Sequence, residues 1–159
     1  AARAGLTIQT AAADAERLPF AAAAFDVVTC VGSLSYVELS VFVAEIRRVL
    51  RPGGRFICVD SLNHNPVYRL NRRLQHWRGE RGLSTLQRMP TRDTIERLAR
   101  EFELAEVSYH GVLSFLAPLA CRVAGEQRAA AWLDSFDQRH PGLENWAFKF
   151  VFSGRRPGA

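Results

Sequence analysis

The clearest pattern of apolar and polar positions lies between Phe25 and Asp60, where the period changes twice. Phe25–Val31 (FDVVTCV) is a nearly continuous apolar, β-branched run closed by Gly32, the pattern of a strand buried in a parallel sheet. From Leu39 to Leu50 the apolar residues Leu39, Phe42, Val43, Ile46, Val49 and Leu50 recur at helical spacing and predict one buried face. Arg51-Pro52-Gly53-Gly54 stops that helix, with Pro then Gly suited to a type II turn, and Arg55–Asp60 (RFICVD) returns as a second buried strand. Two buried strands joined by one helix should run parallel with a right-handed crossover. Cys30–Ser35 and Asp60–Asn63 then share the carboxyl edge of the sheet, where open α/β sheets bind ligands.

Upstream, Leu6–Asp14 reads as a short strand followed by a turn through Pro19. If this strand is parallel too, Asp14 joins the same edge. Downstream, residues 65–81 read as a helix with Val67, Leu70, Leu74 and Trp77 on one face and Arg69, Arg72, Arg73 and His76 on another. Residues 89–102 give a second helix, N-capped by Thr91, with Ile95, Leu98, Ala99 and Phe102 towards the core. Leu104–His110 is a strand, Leu113–His140 is mostly helical with Pro118 as an interruption, and Trp146–Ser153 is a last strand. The pattern divides residues 1–154 into core strands and crossover helix (6–61), a helical region (62–103) and C-terminal strands with a helical insertion (104–154), leaving 155–159 as a frayed tail.

Composition changes this picture little. The 159 residues are 48% hydrophobic and 23% charged, which excludes disorder, and no apolar run is long enough to predict a membrane span. A net charge of +5, nearly all of it arginine, favours anionic partners without choosing among them, and no recognition helix or stacking pattern points to nucleic acid. Cys30, Cys58 and Cys121 have no metal-ligand spacing, so no metal is expected, and their free state fits a reducing, cytoplasmic compartment. The opening residues show no leader pattern, and a chain starting mid-pattern on Ala1 reads as a piece of something longer.

Three stretches in order, DAERLPFAAAAFDVV, SLSYVELSVFVAEIRRVLRPGG and RFICVD, resemble the class I S-adenosylmethionine-dependent methyltransferases of the small-molecule type. The resemblance covers roughly residues 6–61. It implies an α/β, Rossmann-like, mostly parallel sheet that lacks the family's first strands and glycine-rich loop, since no Gly-x-Gly occurs in the chain. It also implies methyl transfer from S-adenosylmethionine, in a cytoplasmic bacterial protein, to a small-molecule or sugar-like acceptor. This chain by itself would be weakly active or inactive. Asp14 matches the family's acceptor for the adenine amino group, with Ala15 beside the ring; the other reading of Asp14 is a turn former. Cys30, Val31 and Gly32 match positions whose backbone faces the methionine part, and Cys30 reads equally as core. Ser35 and Tyr36 fall near the transferred methyl, where Tyr36 is a substrate wall, a proton acceptor or an aromatic packed on the core. His64, with Asp60 and Asn63, lies by the acceptor pocket as a general base or a loop cap.

The basic face of the 65–81 helix reads as a solvated surface, or as a site for an anionic or sugar-linked acceptor or an anionic membrane surface. A non-catalytic half-domain is the rival function: open sheet edges would then seek a partner, or a second copy, to complete the sheet.

Overall fold

The computed structural model describes residues 9–77 and 88–158, and its elements follow the order strand, helix, strand, two helices, strand, two helices, strand. These are β1 (Phe25–Val31), α1 (Leu39–Val49), β2 (Leu50–Ser61), α2 (Pro66–Trp77), α3 (Arg92–Glu101), β3 (Glu103–His110), α4 (Ala117–Ala124), α5 (Glu126–Arg139) and β4 (Lys149–Arg155). The sheet order is β1-β2-β4-β3. β1 and β2 pair in parallel with Cys30 opposite Cys58. β4 runs antiparallel between β2 and β3, so β1, β2 and β3 share one direction and only β4 is reversed. The mostly parallel α/β sheet expected from the sequence is therefore present.

One face of this sheet carries the core. Phe56 of β2 is fully buried and lies at the centre of an aromatic cluster with Phe42 of α1, Phe152 of β4 and Phe102 after α3, at ring-centroid distances of 6.1, 6.2 and 5.3 Å. Truncating such a phenylalanine costs about 3–5 kcal/mol. Ile46, Ile95 and Leu98 extend the cluster along α1 and α3, as the helical spacing predicts. Gly154 permits the closeness of α3: a Cβ there would lie 2.6 Å from that of Phe102. Thr91 caps α3 as expected, its N–H donating to Thr94 Oγ1 at 3.1 Å.

Several expectations change. The Leu6–Asp14 strand falls partly outside the described residues; positions 9–13 form no strand, and Asp14 makes only an isolated bridge with Arg17. A strand needs a neighbour to satisfy its backbone, and positions 9–13 have no strand partner among the described residues. β1 has the boundaries read from sequence but is not buried, with Val27 52% and Val31 71% exposed. Among the described residues it pairs on one side only, and no layer covers its second face. The helical break after Leu113 is Gly125, at φ +78°, not Pro118, which sits in the first turn of α4 where a missing N–H costs nothing. Nor is 155–159 simply a tail. Arg155 ends β4, and Arg156 N–H donates to Gly54 O at 2.8 Å, while its carbonyl accepts from Gly53 N–H at 3.0 Å. The Arg156 guanidinium also donates to Leu50 O.

That contact and another hold the turns at the amino edge. The Leu18-Pro19-Phe20 loop is fastened to α1 by Glu45, whose carboxylate accepts from Leu18 N–H at 2.7 Å and pairs with Arg48; Arg48 in turn donates to the carbonyls of Leu18 and Phe20. Hydrogen bonding from Arg48 is the largest influence, outweighing partial burial, that brings the Glu45 pKa from 4.5 down to about 2. A lowered folded-state pKa means that stability is present above pH 4.5 and is lost as pH falls towards 2. Replacing Glu45 by Gln should remove that part of the acid loss and lower the thermal midpoint at neutral pH. Melting curves at stepped pH check both; an unchanged acid slope would refute the linkage.

Candidate active site at the carboxyl edge

The ends of β1 and β2 meet through backbone and one carboxylate. Gly32 takes φ +66° and its N–H donates to Val59 O at 2.9 Å, which carries the chain across the top of β2. An added Cβ at Gly32 would meet nothing within 4 Å, so this turn is open to the side where a ligand would come. Asp60 is 6% exposed; Oδ2 accepts from Leu34 N–H at 2.9 Å and Oδ1 from Ser61 N–H at 2.6 Å. Asp60 therefore fixes the short 3-10 turn Leu34–Tyr36 to the end of β2.

That turn separates its residues. Ser35 is buried, whereas Tyr36 is 66% exposed, so the reading of Tyr36 as an aromatic packed on the core is wrong. Val31 stands open, and Cys30 is buried against Cys58, as the core reading has it. Its hydrogen bond with Cys30, together with burial, pushes the Cys58 thiol up, so this is a neutral, packed sulfur. Asp14 is exposed and Oδ1 accepts from Glu16 N–H at 2.9 Å, the turn-forming geometry. Glu16 in turn accepts from Glu38 N–H, so the Asp14–Ala15 turn is brought beside the residues following Tyr36. Asp14, Ala15, Gly32, Ser35 and Tyr36 thus gather at one edge.

His64 follows the end of β2 by three residues. Its neighbours are pinned: Asn63 N–H donates to Pro90 O at 2.9 Å, and buried Asn65 donates to Trp146 O at 2.6 Å while capping α2 through Val67 N–H at 2.9 Å. His64 is half-buried and Nδ1 has no hydrogen-bond partner among the described residues. Burial first, then the charges of Arg92 and Arg69, hold its pKa below the ordinary histidine value, which favours the neutral ring. Arg92 was not picked out by sequence. Its guanidinium lies 5.8 Å from the Tyr109 ring centroid and donates to Glu144 at 3.3 Å, with Nε buried and unpaired. Partners 17 and 52 residues away leave no local signal. A cleft of about 290 Å³ next to the turn is lined by Leu34, Val37, Glu38, Met89, Thr91 and Arg97 among others; a larger one, about 330 Å³, lies between α1 and α3 and shares Leu39 and Arg97 with it.

Comparison with known proteins gives the edge its context. The methyltransferase domain family matches residues 1–58. The sterol 4-C-methyltransferase of Caenorhabditis elegans is 34% identical over 100 residues, which are 60% of this chain and 29% of that protein. The chain spans between 29% and 43% of the length of the curated relatives it matches. Among solved structures, the Haemonchus contortus phosphoethanolamine N-methyltransferase 2 with S-adenosyl-L-methionine superposes with a TM-score of 0.56 at 18% identity, over 91% of this chain and 36% of that one. A [4+2]-cyclase, SpnF, superposes equally well, at 0.55 and 19% identity, over 94% of this chain and 56% of that one. At such identities the likeness establishes the fold, and the chemistry has to come from the site.

Asp60 supplies a test of the edge. Asparagine in its place keeps one acceptor but turns an N–H₂ towards a backbone N–H, leaving a buried donor unpaired at about 1–3 kcal/mol. Asp60→Asn should lower the urea midpoint without changing the slope, and wild-type stability would refute the role.

Proposed function

We propose that the chain belongs to the class I methyltransferases, a reading supported by the methyltransferase domain match over residues 1–58, and that the protein transfers the methyl group of S-adenosylmethionine to a small-molecule acceptor. The observation that carries this reading is the open glycine turn at the end of β1, pinned to β2 and flanked by the Asp14–Ala15 turn. Asp14, an acceptor-only group, takes a hydrogen bond from the adenine amino group, with Ala15 beside the ring. The backbone at Cys30, Val31 and Gly32 and the buried Ser35 border the methionine part. The fit is partial, since no Gly-x-Gly loop occurs in the chain to receive the remainder of the cofactor.

The cofactor supplies an already activated sulfonium methyl. What remains for this chain is to align the acceptor and to take its proton. Exposed Tyr36 forms a wall of the acceptor approach, and neutral His64 is the proton acceptor, with Asp60 and Asn63 holding the loop between them. The sterol methyltransferase among the relatives favours a lipophilic acceptor over a sugar-like one. Arg92 beside His64 suits an acceptor that also carries an anionic group. Residues 62–103 act as the acceptor-side region, 6–61 as the cofactor side, and 104–154 as the supporting strands and helical insertion.

A second reading rests on the exposure of β1: the chain is a non-catalytic half-domain whose open edge takes a partner that completes the sheet. Calorimetry with S-adenosylhomocysteine separates the two. The catalytic reading expects saturable but weak binding, with a dissociation constant of about 100 µM or above for this chain, weakened several-fold further by Asp14→Asn. Affinity in the low micromolar range would overturn the statement that the missing loop matters. No binding at all, together with a concentration-dependent dimer abolished by Val27→Lys, would favour sheet completion.

A further inference from the structure

The orientation of α2 is set by groups at its first turns. Asn65 caps it, and the Tyr68 ring stacks on Phe148 with centroids 4.2 Å apart while its hydroxyl hydrogen-bonds Ser114. Tyr68 therefore marks the side that faces the protein. At 100° per residue, Val67, Leu70, Leu74 and Trp77 occupy an arc of about 80° centred about 140° away from Tyr68. All four are exposed, by 44, 61, 46 and 91%. The apolar stripe of this helix thus points away from the body, the reverse of the core-facing orientation usual in globular proteins. Arg69 and Arg73, both exposed, run alongside the stripe on the Trp77 side. Tyr68 reaches Ser114 in the 3-10 turn Ser114–Leu116 that leads into α4, and Phe115 of that turn and Leu119 and Val123 of α4 are exposed as well.

Charge is distributed in the same sense. The chain has 16 carboxylate residues, yet none lies in α2 (PVYRLNRRLQHW) or α4 (APLACRVA). Arginines beside a leucine–tryptophan stripe, with acids excluded, are the features of a helix that lies in a lipid interface. A second copy of the chain fits less well, because a two-fold interface would set Arg69 and Arg73 against the same groups of its partner.

We propose that α2, supported by α4, docks on an anionic bilayer surface, with Val67, Leu70, Leu74 and Trp77 in the headgroup–acyl boundary and Arg69 and Arg73 at the lipid phosphates. The docking stands apart from the methyl-transfer reading, since it is read by partitioning and not by turnover.

Flotation of the whole chain with phosphatidylcholine vesicles, with and without about 30 mol% phosphatidylglycerol, tests it. Binding should favour the anionic vesicles and fall with added salt. Leu70→Asp with Trp77→Ser should reduce it about tenfold or more, at an unchanged thermal midpoint because both side chains are exposed. Arg69→Gln with Arg73→Gln should remove most of the preference for anionic lipid. If the first variant unfolds, quenching of wild-type tryptophan fluorescence by brominated lipid reads the same contact. The proposal fails if the wild-type chain does not float or shows no quenching, or if it binds neutral and anionic vesicles equally. It also fails if the apolar variant floats as the wild type does, or if that variant abolishes self-association in a chain that never binds vesicles.

Discussion

Asp60 keeps a carboxylate out of water at the one place where two strand ends must be held together, and it does so because Leu34 N–H and Ser61 N–H satisfy its two oxygens. A buried acceptor of this kind is costly unless fully bonded, so the bonds act as a constraint on both chains at once. One oxygen sets where the Leu34–Tyr36 turn begins, which in turn decides that Ser35 faces in and Tyr36 faces out. The other sets how β2 leaves the sheet towards Asn63 and His64. Gly32 N–H bonded to Val59 O completes the tie through backbone alone. The candidate site is thus defined by a structural carboxylate; Asp60 itself, with both oxygens engaged, has little left to offer an acceptor molecule.

How much of this was legible follows from the range over which each signal acts. β1 had its boundaries in the sequence because a β-branched run closed by glycine is a local signal, and α1 because its apolar period is too. Thr91 was readable for the same reason; Pro52-Gly53 ends α1 as expected, but it lies within β2 at an irregularity of the β1–β2 register, with Gly53 at φ +74°. Misread features depend on partners far along the chain. Arg156 belongs to the fold because Gly54, 102 positions earlier, accepts its N–H. Arg92 matters through Tyr109 and Glu144, and the exposure of β1 depends on a neighbour that no hydropathy pattern within Phe25–Val31 can report. Pro118 and Gly125 are a different case: both are breakers by composition, and only the placement of the helix start decides which one breaks.

The helix α2 shows why period alone does not assign a face. Its apolar and basic stripes were both visible in the sequence, yet the spacing is the same whether the apolar side faces in or out. What decides is a single residue off both stripes, Tyr68, which stacks on Phe148 and leaves Leu70 and Trp77 outside. An aromatic anchor on the polar side of an amphipathic helix is therefore the informative signal for an outward apolar face.

The two faces of the sheet place the half-site in physical terms. Phe56, Cys58, Phe150 and Phe152 are finished by α1 and α3 and need nothing more. On the opposite face Val27 and Val31 are open and Ile57, Val59 and Val151 half-open, while the outer edge of β1 has no strand partner among the described residues. A layer over those five side chains and a strand beside β1 would bury one continuous surface and bring a further strand end next to Gly32. In a fold whose ligands lie beyond the carboxyl ends of adjacent strands, the proposed methyl-transfer reading makes the element that completes the sheet the same one that would complete the cofactor cradle. On that reading stability and binding are linked, because whatever occupies the edge of β1 would add to both without any change in the residues already at the edge.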